Sequence, residues 1–305
     1  MTLRTLQDLF VDRDKQIDRF RRSLEGSTGR RIILVSAGPG MGKSWLLRQF
    51  VSEAKPRGAR TALIDFSDGQ AYDVLMLVRR FRDVLGAEHF NRLTVAINQA
   101  TTPQITINEA AGSTNTAGVS INGSNLSSVV VNEAAGRNII KDNLFVVQSD
   151  NGLLLQALED RITQIFFECM NEVVITTRVV FLFDSYERNS TESERWQPSA
   201  ADRWINRELL TRIRDGQLPN TLVVLAGLRL PEFGAGWNAV VGKLPLDPFT
   251  IADVGEYLRV NRGLERLSDA QIELLYTAVQ GNPQQLGMIG DNLEQANKPA
   301  DDEDW

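Results

Sequence analysis

A short apolar run, a glycine-rich turn and a helical segment follow one another near the start of the chain, and this order constrains the fold more than any other feature. The apolar run is Ile32–Ser36, and apolar residues recur at helical spacing in Trp45–Phe50. The turn between them, Ala37–Ser44, reads AGPGMGKS. It matches the phosphate-binding pattern G-x-x-x-x-G-K-[ST], with alanine in place of the first glycine. A strand that leads into a helix through such a turn predicts an α/β domain.

The turn Ala37–Ser44, called the P-loop below, is suited to hold a chain of phosphates. Glycines let the backbone wrap so closely that successive N–H groups point inward, and the helix that begins near Gly42 adds its positive N-terminal end. We expect Lys43 to reach the β- and γ-phosphates and the Ser44 hydroxyl to ligate Mg²⁺. The residues of this segment predicted to bind the nucleotide are Gly38, Pro39, Gly40, Met41, Gly42, Lys43, Ser44 and Trp45.

Three further apolar runs have the length and composition of strands that are buried on both faces. They are Thr61–Phe66, Val179–Asp184 and Leu222–Gly227. Residues 203–213 have helical periodicity between the last two runs, so strands alternate with helices and a parallel sheet follows. The predicted fold class is therefore α/β, a P-loop NTPase parallel sheet with helices on both faces.

Two carboxylates stand at and beyond the end of the third run. Asp184 closes that run, and the carboxyl end of a buried strand is where P-loop proteins place the carboxylate that contacts Mg²⁺ through water. Glu187 is the candidate to polarise the attacking water. Many such proteins place this base directly after the aspartate, a position that Ser185 occupies here. A solvated turn residue is therefore the alternative interpretation of Glu187.

Residues 94–151 interrupt the alternation, because they are rich in Asn, Ser, Thr, Gly and Val and nearly free of charge. Asn108–Gly112 recurs as Asn132–Gly136, and β-branched residues precede the copies at Ile105–Ile107 and Val129–Val131. We predict a β-rich insert of two repeats, with a disordered loop as the alternative.

The C-terminal part of the chain changes to a helical pattern after residue 243. Its three helical segments are 251–260, 269–279 and 283–293. The predicted organisation is a P-loop domain over 1–243, a small helical lid domain over 244–297 and an acidic tail over 298–305. The acidic cluster of the tail is Asp301, Asp302, Glu303 and Asp304. A solubilising tail is the simplest interpretation of this cluster, and a docking peptide is the alternative.

The composition fits a globular protein of the cytoplasm. A net charge of -6 makes nucleic acid an unlikely partner, because binding to phosphate backbones requires clustered Lys and Arg. Cys169 is the only cysteine and His89 the only histidine, which excludes a disulfide framework and a Cys/His metal site. No stretch approaches the roughly 18 consecutive apolar residues of a membrane span, so we expect no membrane partner.

The segment before the P-loop carries a family resemblance. Phe10–Arg13 followed by Gln16–Phe20 resembles the F-x-G-R-x-x-E segment of STAND-type ATPases, the AAA+-related signal-transduction NTPases that include the NB-ARC proteins, with Asp12 in place of the glycine. In that family the segment lies against adenine. The resemblance therefore implies that Val11 and Arg13 contact the base of ATP or ADP.

Later motifs resemble the same family and follow in its order. They are Phe183–Glu187, Trp204, Leu225–Arg229, Leu244–Phe249 and Gly281-Asn282-Pro283. The resemblance implies a sensor-like role for Arg229 and a helical lid that begins at Leu244. It also implies that Pro283, in the G-x-P signature, approaches the nucleotide. The catalytic residues expected together are Lys43, Asp184, Glu187 and Arg229, and the Mg²⁺ contacts are Ser44 and Asp184.

These features predict an ATP-binding, slowly hydrolysing switch of STAND type in a minimal form without a fused effector or sensor. We expect it to oligomerise with itself or to engage a separate effector or sensor protein, and the resemblance implies a role in bacterial defence or signalling. The insert is a plausible contact surface for such partners. One alternative is a scaffold that binds nucleotide without hydrolysing it. A less favoured one is an AAA+ loader that acts on nucleic acid.

Overall fold

Five strands form a parallel sheet, and the apolar runs predict four of them. The computed structural model describes residues 13–70, 72–101, 105–107, 119–121, 152–192 and 195–296. The strands are β1 (Ile32–Ser36), β2 (Arg60–Asp65), β3 (Ile105–Ile107), β4 (Val119–Ile121), β5 (Val179–Asp184), β6 (Thr221–Gly227) and β7 (Val241–Lys243). The sheet order is β2-β5-β6-β1-β7, and each neighbouring pair is parallel. The α/β fold class is therefore confirmed, and β7 is an edge strand that the sequence analysis missed.

The centre of the sheet is covered on both faces. Every residue of β5 and β6 is buried, which explains why these runs read as continuous apolar sequence. On one face, alternate residues of β1, β5 and β6 pack with the helices Asp14–Leu24 and Lys43–Ala54. Phe20 and Phe50 join those two helices, with ring centroids 4.1 Å apart.

The helices of the described residues alternate with the strands and then form a cluster of their own. They are α1 (Asp14–Leu24), α2 (Lys43–Ala54), α3 (Val74–Leu85), α4 (Asn91–Thr101), α5 (Gly152–Thr176), α6 (Ala200–Trp204), α7 (Thr211–Arg214), α8 (Ile251–Glu256), α9 (Asp269–Val279) and α10 (Pro283–Ala296). The π-helical turns Ile205–Leu210 and Tyr257–Asn261 continue α6 into α7 and extend α8. Short 3₁₀ turns occupy Lys55–Arg57, Ala87–Phe90, Tyr186–Asn189 and Ala235–Trp237. The three predicted C-terminal helices are confirmed.

The C-terminal helices have their own hydrophobic core. Val254, Leu258 and Leu286 are its most deeply buried members. Side chains fix where the helices begin, because Thr250 and Ser268 each form a capping box at the start of α8 and α9. This cluster corresponds to the predicted helical lid. Its boundary at residue 244 stays a prediction.

The chain divides into two compact units. One comprises the residues up to Tyr72 together with those from Val174 onward, and the other is Asp73–Val173. The first unit contains the five-stranded sheet and the C-terminal helices. The second contains α3, α4, most of α5 and the β3–β4 pair.

The predicted start of the β-rich insert is wrong. Residues 94–101 belong to α4, because Leu93 and Ile97 lie one helical turn apart and both are buried. Ile105–Ile107 is a strand and pairs with Val119–Ile121. The second triplet, Val129–Val131, lies outside the described residues, as do both pentapeptides of the predicted repeat. Within the described part of the chain, no helix is long and apolar enough to cross a membrane.

Candidate functional site

The P-loop turns from strand to helix through two glycines in the left-handed region. Gly40 has φ +73° and Gly42 has φ +83°, values that a residue with a Cβ adopts only under strain. Helix α2 begins at Lys43, directly after Gly42. The first turn of this helix therefore faces the carboxyl edge of the sheet, where β1 ends.

The P-loop carbonyls are all bonded to donors within the protein. Lys43 Nζ donates to the carbonyls of Ala37 and Gly38 at 2.9 and 2.8 Å. Three donors come from outside the loop. Asn282 Nδ2 reaches Pro39 O at 3.2 Å, the Gln284 N–H reaches Gly40 O at 3.1 Å, and Arg13 Nη2 reaches Met41 O at 3.5 Å. The carbonyl of Gly42 accepts from the N–H of Leu46 within α2.

Most N–H groups of the same loop, in contrast to its carbonyls, have no hydrogen-bond partner among the described residues. Those of Gly38, Gly40, Met41, Gly42 and Lys43 donate to no acceptor in the part of the chain that the structure describes. Consecutive free N–H groups at the start of a helix form an anion-binding nest. The loop therefore meets the geometric requirement for holding phosphates.

Lys43 lies among carboxylates at this edge. Burial lowers the pKa of its ammonium group, and the charges of Glu187 and Asp184 oppose that effect. These three predicted catalytic residues are therefore close enough to influence one another electrostatically. The bonds that Lys43 makes to Ala37 and Gly38 are to neutral carbonyls, which a phosphate oxygen would replace as a stronger partner.

Asp184 is buried at the end of β5, with 5% of its surface exposed. Burial raises the pKa of its carboxyl group, and a hydrogen bond from the Ser44 side chain opposes that rise. The two predicted Mg²⁺ contacts therefore lie near each other. Asp65, at the end of β2, is paired in register with Asp184 and also raises its pKa through its charge.

The turn after Asp184 is strained and held by side chains. Ser185 has φ 54° and ψ 39°, in the left-handed region that non-glycine residues rarely adopt. Its N–H donates to Asp184 Oδ1 at 2.8 Å, and its hydroxyl lies near the carboxylate of Asp65. Tyr186 is fully buried and donates its hydroxyl to Asp202 Oδ1 at 2.9 Å. The ring of Trp196 stacks on Tyr186 with an interplanar angle of 4°.

This anchored turn sets the direction of Glu187. Its Oε2 accepts from the N–H of Leu228 at 2.9 Å, just past the end of β6. Gly227 permits the approach, because a Cβ at that position would stand 2.6 Å from Glu187 Oε2 and 3.2 Å from the Glu187 nitrogen. Glu187 is therefore not an unattached turn residue. It is fixed at the sheet edge that also carries Asp184.

Arg13 is buried between the P-loop and the chain that leads into the C-terminal helices. Besides Met41 O, its Nη2 contacts Asp247 O at 3.1 Å, and the guanidinium lies 5.0 Å from the centroid of the Phe249 ring. Arg13 has 4% of its surface exposed and links the P-loop to the segment that contains Asp247 and Phe249. The predicted contact with adenine stays a prediction for Arg13, and Val11 lies outside the described residues.

Helix α10 meets the P-loop with its N-terminal end. Pro283, its first residue, stands between the two residues that contact Pro39 and Gly40. The contact is close, since a Cβ on Gly40 would lie 2.8 Å from both Asn282 Oδ1 and Gln284 Oε1. The G-x-P segment therefore lies at the P-loop. The contact between Pro283 and a nucleotide stays a prediction.

Arg229 follows β6 and is half-buried. Its Nη2 donates to Glu192 O at 3.4 Å, a backbone contact with the loop after β5. The sensor-like role of Arg229 stays a prediction. In the described residues no group of three or more His, Cys, Asp or Glu side chains could hold a metal ion. A Mg²⁺ ion here would need phosphate and water oxygens beside Ser44 and Asp184, which is the usual way this ion is bound.

Sequence reasoning missed several residues that shape this edge. Asp65 is the last residue of β2 and stands one position before the end of the apolar run Thr61–Phe66, so a search for carboxylates near strand ends could have found it. Gly227 also ends a run, but its importance depends on Glu187, which lies 40 positions earlier in the chain. The contacts of Asn282 and Gln284 with the loop have no signal in the spacing of residues.

Three solved structures are similar to the chain over most of its length. A STAND protein with a tetratricopeptide repeat sensor from Pyrococcus horikoshii matches 92% of this chain, with 10% identity and a TM-score of 0.44. This chain spans 30% of that protein's length.

The other two are described as a DNA replication initiation factor and as AMPPCP-bound DnaA from Aquifex aeolicus. The first has 14% identity and a TM-score of 0.37, with coverage of 94% of this chain and 67% of the other. The second has 14% identity and a TM-score of 0.36, with coverage of 96% and 69%. No family model and no curated protein matches the chain. Identities and TM-scores this low transfer no function to it.

Proposed function

We propose that this chain binds ATP or ADP with Mg²⁺ at the P-loop. The observation that carries the proposal is the difference between the carbonyl and N–H groups of the loop. The carbonyls accept hydrogen bonds from protein donors, and the N–H groups have no acceptor among the described residues. A triphosphate supplies the acceptors that this arrangement lacks. Lys43 would then exchange the carbonyls of Ala37 and Gly38 for β- and γ-phosphate oxygens.

The Mg²⁺ ion would lie next to Ser44. The proximity of the Ser44 side chain to Asp184 supports this, because a Mg²⁺ ion in P-loop proteins is ligated by the hydroxyl and held through water by the strand-end carboxylate. Asp65 adds a second carboxylate beside Asp184. When bound, the ion would neutralise charge that develops between the β- and γ-phosphates.

Slow hydrolysis is the proposed reaction. Glu187 supports it, because its carboxylate is fixed at the edge that holds Lys43 and one of its oxygens is committed to the Leu228 N–H. A fixed carboxylate can orient a water and accept its proton as the bond to the γ-phosphate breaks. The products are ADP and inorganic phosphate.

The proposed biological role is a switch of STAND type. The contacts of Asn282 and Gln284 with the P-loop support it. A change in the loop on binding the γ-phosphate would alter the surface against which the N-terminal end of α10 packs. A nucleotide shifts the arrangement only by its difference in affinity for the two states. The switch would act through its own oligomer or through a separate effector or sensor, in signalling or defence.

The test combines nucleotide binding, phosphate release and particle size on the same samples. Lys43→Ala should abolish binding of a fluorescent ATP analogue and any assembly that ATP induces, and Lys55→Ala, which removes a lysine outside the P-loop, should preserve both. Equal nucleotide binding by the Lys43→Ala variant and the unaltered chain would refute the proposal. Binding without any ATP-dependent change of size would refute the switch alone.

A scaffold that binds nucleotide without hydrolysing it is the second candidate. It is favoured by Ser185, which stands where many P-loop ATPases carry their base. Glu187→Gln separates the two, because glutamine keeps an oxygen for the Leu228 N–H but cannot accept a proton. Retained binding with lost phosphate release supports hydrolysis by Glu187. No phosphate release from the unaltered chain supports the scaffold.

A further inference from the structure

A basic pocket lies away from the P-loop, between α1 and the edge strand β7. Its volume is about 340 Å³, within the range of sites that hold small ligands or peptide side chains. Four cationic side chains line it: Arg19, Arg22, Arg30 and Lys243. So much positive charge in one place contrasts with the net charge of -6 of the whole chain.

The shape of the pocket comes from a glycine on the edge strand. Gly242 pairs in register with Ile33, so no side chain from β7 fills the space beside that isoleucine. The side chain of Arg30 passes over this glycine, and its Nη1 donates to Val241 O at 2.8 Å. This bond holds one cation at the rim. It also occupies a backbone acceptor that an edge strand would otherwise offer to another strand.

The other cations are available for a ligand to different degrees. Arg22 pairs with Asp18 at the surface of α1. Arg19 and Lys243 form no ion pair with any residue that the structure describes, and both are exposed. The hydroxyls of Ser23 and Thr28 lie 3.3 Å apart on the pocket wall and add polar character. The pocket thus offers spread positive charge and hydroxyl groups.

A run of carboxylates suits this pocket better than a single phosphate. Its cations are distributed along a helix and a strand, and fixed N–H groups of the kind that converge at the P-loop do not define it. The sequence itself contains a run of this kind at Asp301–Asp304, beside Trp305. Arg19 and Lys243 can each meet a carboxylate directly, and Arg22 and Arg30 add positive charge beside them although each already has a partner.

We propose that the pocket between α1 and β7 binds the acidic segment Asp301–Trp305 of the same chain. Residues 297–300 join this segment to the end of α10, and such a short tether gives it a high effective concentration. The cations steer and hold the carboxylates, and the binding weakens with salt because the charges are exposed. The proposal does not depend on nucleotide binding at the P-loop. The bound segment closes the pocket to other acidic partners.

The experiment uses the full chain with Asn, Asn, Gln and Asn in place of Asp301, Asp302, Glu303 and Asp304, called the neutralised chain, and a fluorescein-labelled peptide with the sequence of residues 296–305. We expect saturable binding by fluorescence anisotropy, weakened about tenfold when the neutralised chain also carries Arg19→Gln/Lys243→Gln. The matched control is Lys15→Gln/Lys55→Gln in the same background, which removes the same charge from α1 and from the turn after α2, outside the pocket. It should bind the peptide as the neutralised chain does.

A second peptide tests the carboxylates without changing the protein. With Asn and Gln in place of the four acidic residues, the peptide should lose binding. Equal binding of both peptides, or equal weakening in the pocket and control variants, would overturn the proposal. Binding of inorganic phosphate at the pocket without binding of the acidic peptide would overturn it as well.

The unaltered chain decides where the segment comes from. If its own segment occupies the pocket, the labelled peptide binds the unaltered chain more weakly than the neutralised one at every protein concentration. A difference that disappears on dilution would show that a neighbouring copy supplies the segment and would overturn binding within one chain. Equal peptide affinity of the unaltered and neutralised chains at all concentrations would overturn the proposal as well.

Discussion

The P-loop and the turn after β5 both present polar groups at the carboxyl edge of the sheet, but they are built differently. The P-loop obtains its left-handed positions from Gly40 and Gly42, and its own backbone supplies the binding groups. The turn after β5 has a serine in that region, and buried side chains hold it in place. The conformation of the P-loop is determined by adjacent residues. That of the turn after β5 depends on partners that are distant in sequence, so only the P-loop can be recognised as a motif.

The largest effect is expected from a substitution in the neighbouring strand β6 that displaces Glu187. It tests whether the turn after β5 depends on that distant partner. Gly227→Ala places a methyl group 2.6 Å from Glu187 Oε2 and 3.2 Å from its backbone nitrogen. We expect phosphate release to fall about 100-fold or more, the scale of a displaced general base. Nucleotide affinity should change little, because the three atoms nearest to the added Cβ belong to Glu187 and Arg229 and none to the P-loop. Steady-state phosphate release and equilibrium binding measure the two effects.

Gly234→Ala is the control, since that glycine has an ordinary φ and no heavy atom within 4 Å of an added Cβ. Its phosphate release should match that of the unaltered chain. Undiminished release by Gly227→Ala would show that the position of Glu187 does not matter for the reaction.

The corresponding change in the P-loop should affect binding instead. Gly40→Ala imposes a left-handed conformation on alanine, which costs about 1–2 kcal/mol, and brings its Cβ 2.8 Å from Asn282 and Gln284 side-chain oxygens. We expect nucleotide affinity to fall by about tenfold or more. Titration with a fluorescent ADP analogue checks this, and an affinity equal to that of Gly234→Ala would contradict the assigned geometry.

A comparison of two non-glycine residues with positive φ tests what holds the β5 turn. Gln280, at the end of α9, has φ 49° and an exposed side chain, so Gln280→Gly should raise the free energy of unfolding by about 0.5–1 kcal/mol. Ser185→Gly should raise the free energy of unfolding by less, because it also removes the hydroxyl that lies near the Asp65 carboxylate. Urea unfolding measures both. An equal gain at the two positions would mean that the Ser185 hydroxyl does not stabilise the turn.

The smallest effect is expected at an ion pair remote from both loops. Hydrogen bonds from Arg21 Nε and Nη2 to Glu53, at 2.7 and 2.8 Å, lower the pKa of that carboxyl despite partial burial. A lowered pKa in the folded state stabilises the fold above the unfolded value of 4.5 and ceases to do so as the pH falls through the folded value.

Glu53→Gln should therefore reduce the free energy of unfolding near pH 7 by about 1 kcal/mol or less. The difference from the unaltered chain should shrink below pH 4. Unfolding curves at pH 7 and pH 3.5 give the comparison, and a difference independent of pH would exclude the ionised pair as its cause.

Much of the fold could be predicted because local sequence determines it. The strands β1, β2, β5 and β6 are short apolar runs bounded by polar or turn residues, and the caps of α8 and α9 stand directly before their helices. The edge strand β7 was not predictable, because its three residues include a glycine and have no apolar run. They form a strand because β1 offers a free edge beside them.

The candidate site was predictable in part for the same reason. Lys43, Ser44 and Asp184 belong to local patterns, and the structure brings them together. The position of Glu187 depends on Gly227, and that of the P-loop depends on Arg13 and α10. These contacts join residues up to 243 positions apart. No spacing rule within one segment can reveal them.

The strand order has a consequence for synthesis on the ribosome. Strand β1 is made early, yet its two neighbours in the sheet are β6 and β7, which are translated almost 200 residues later. At about 5–20 residues per second, β1 waits at least several seconds with both edges unpaired. The contact of Arg13 with Asp247 can form only later still. The nascent chain must therefore keep an apolar strand from pairing wrongly until β6 and β7 have left the ribosome.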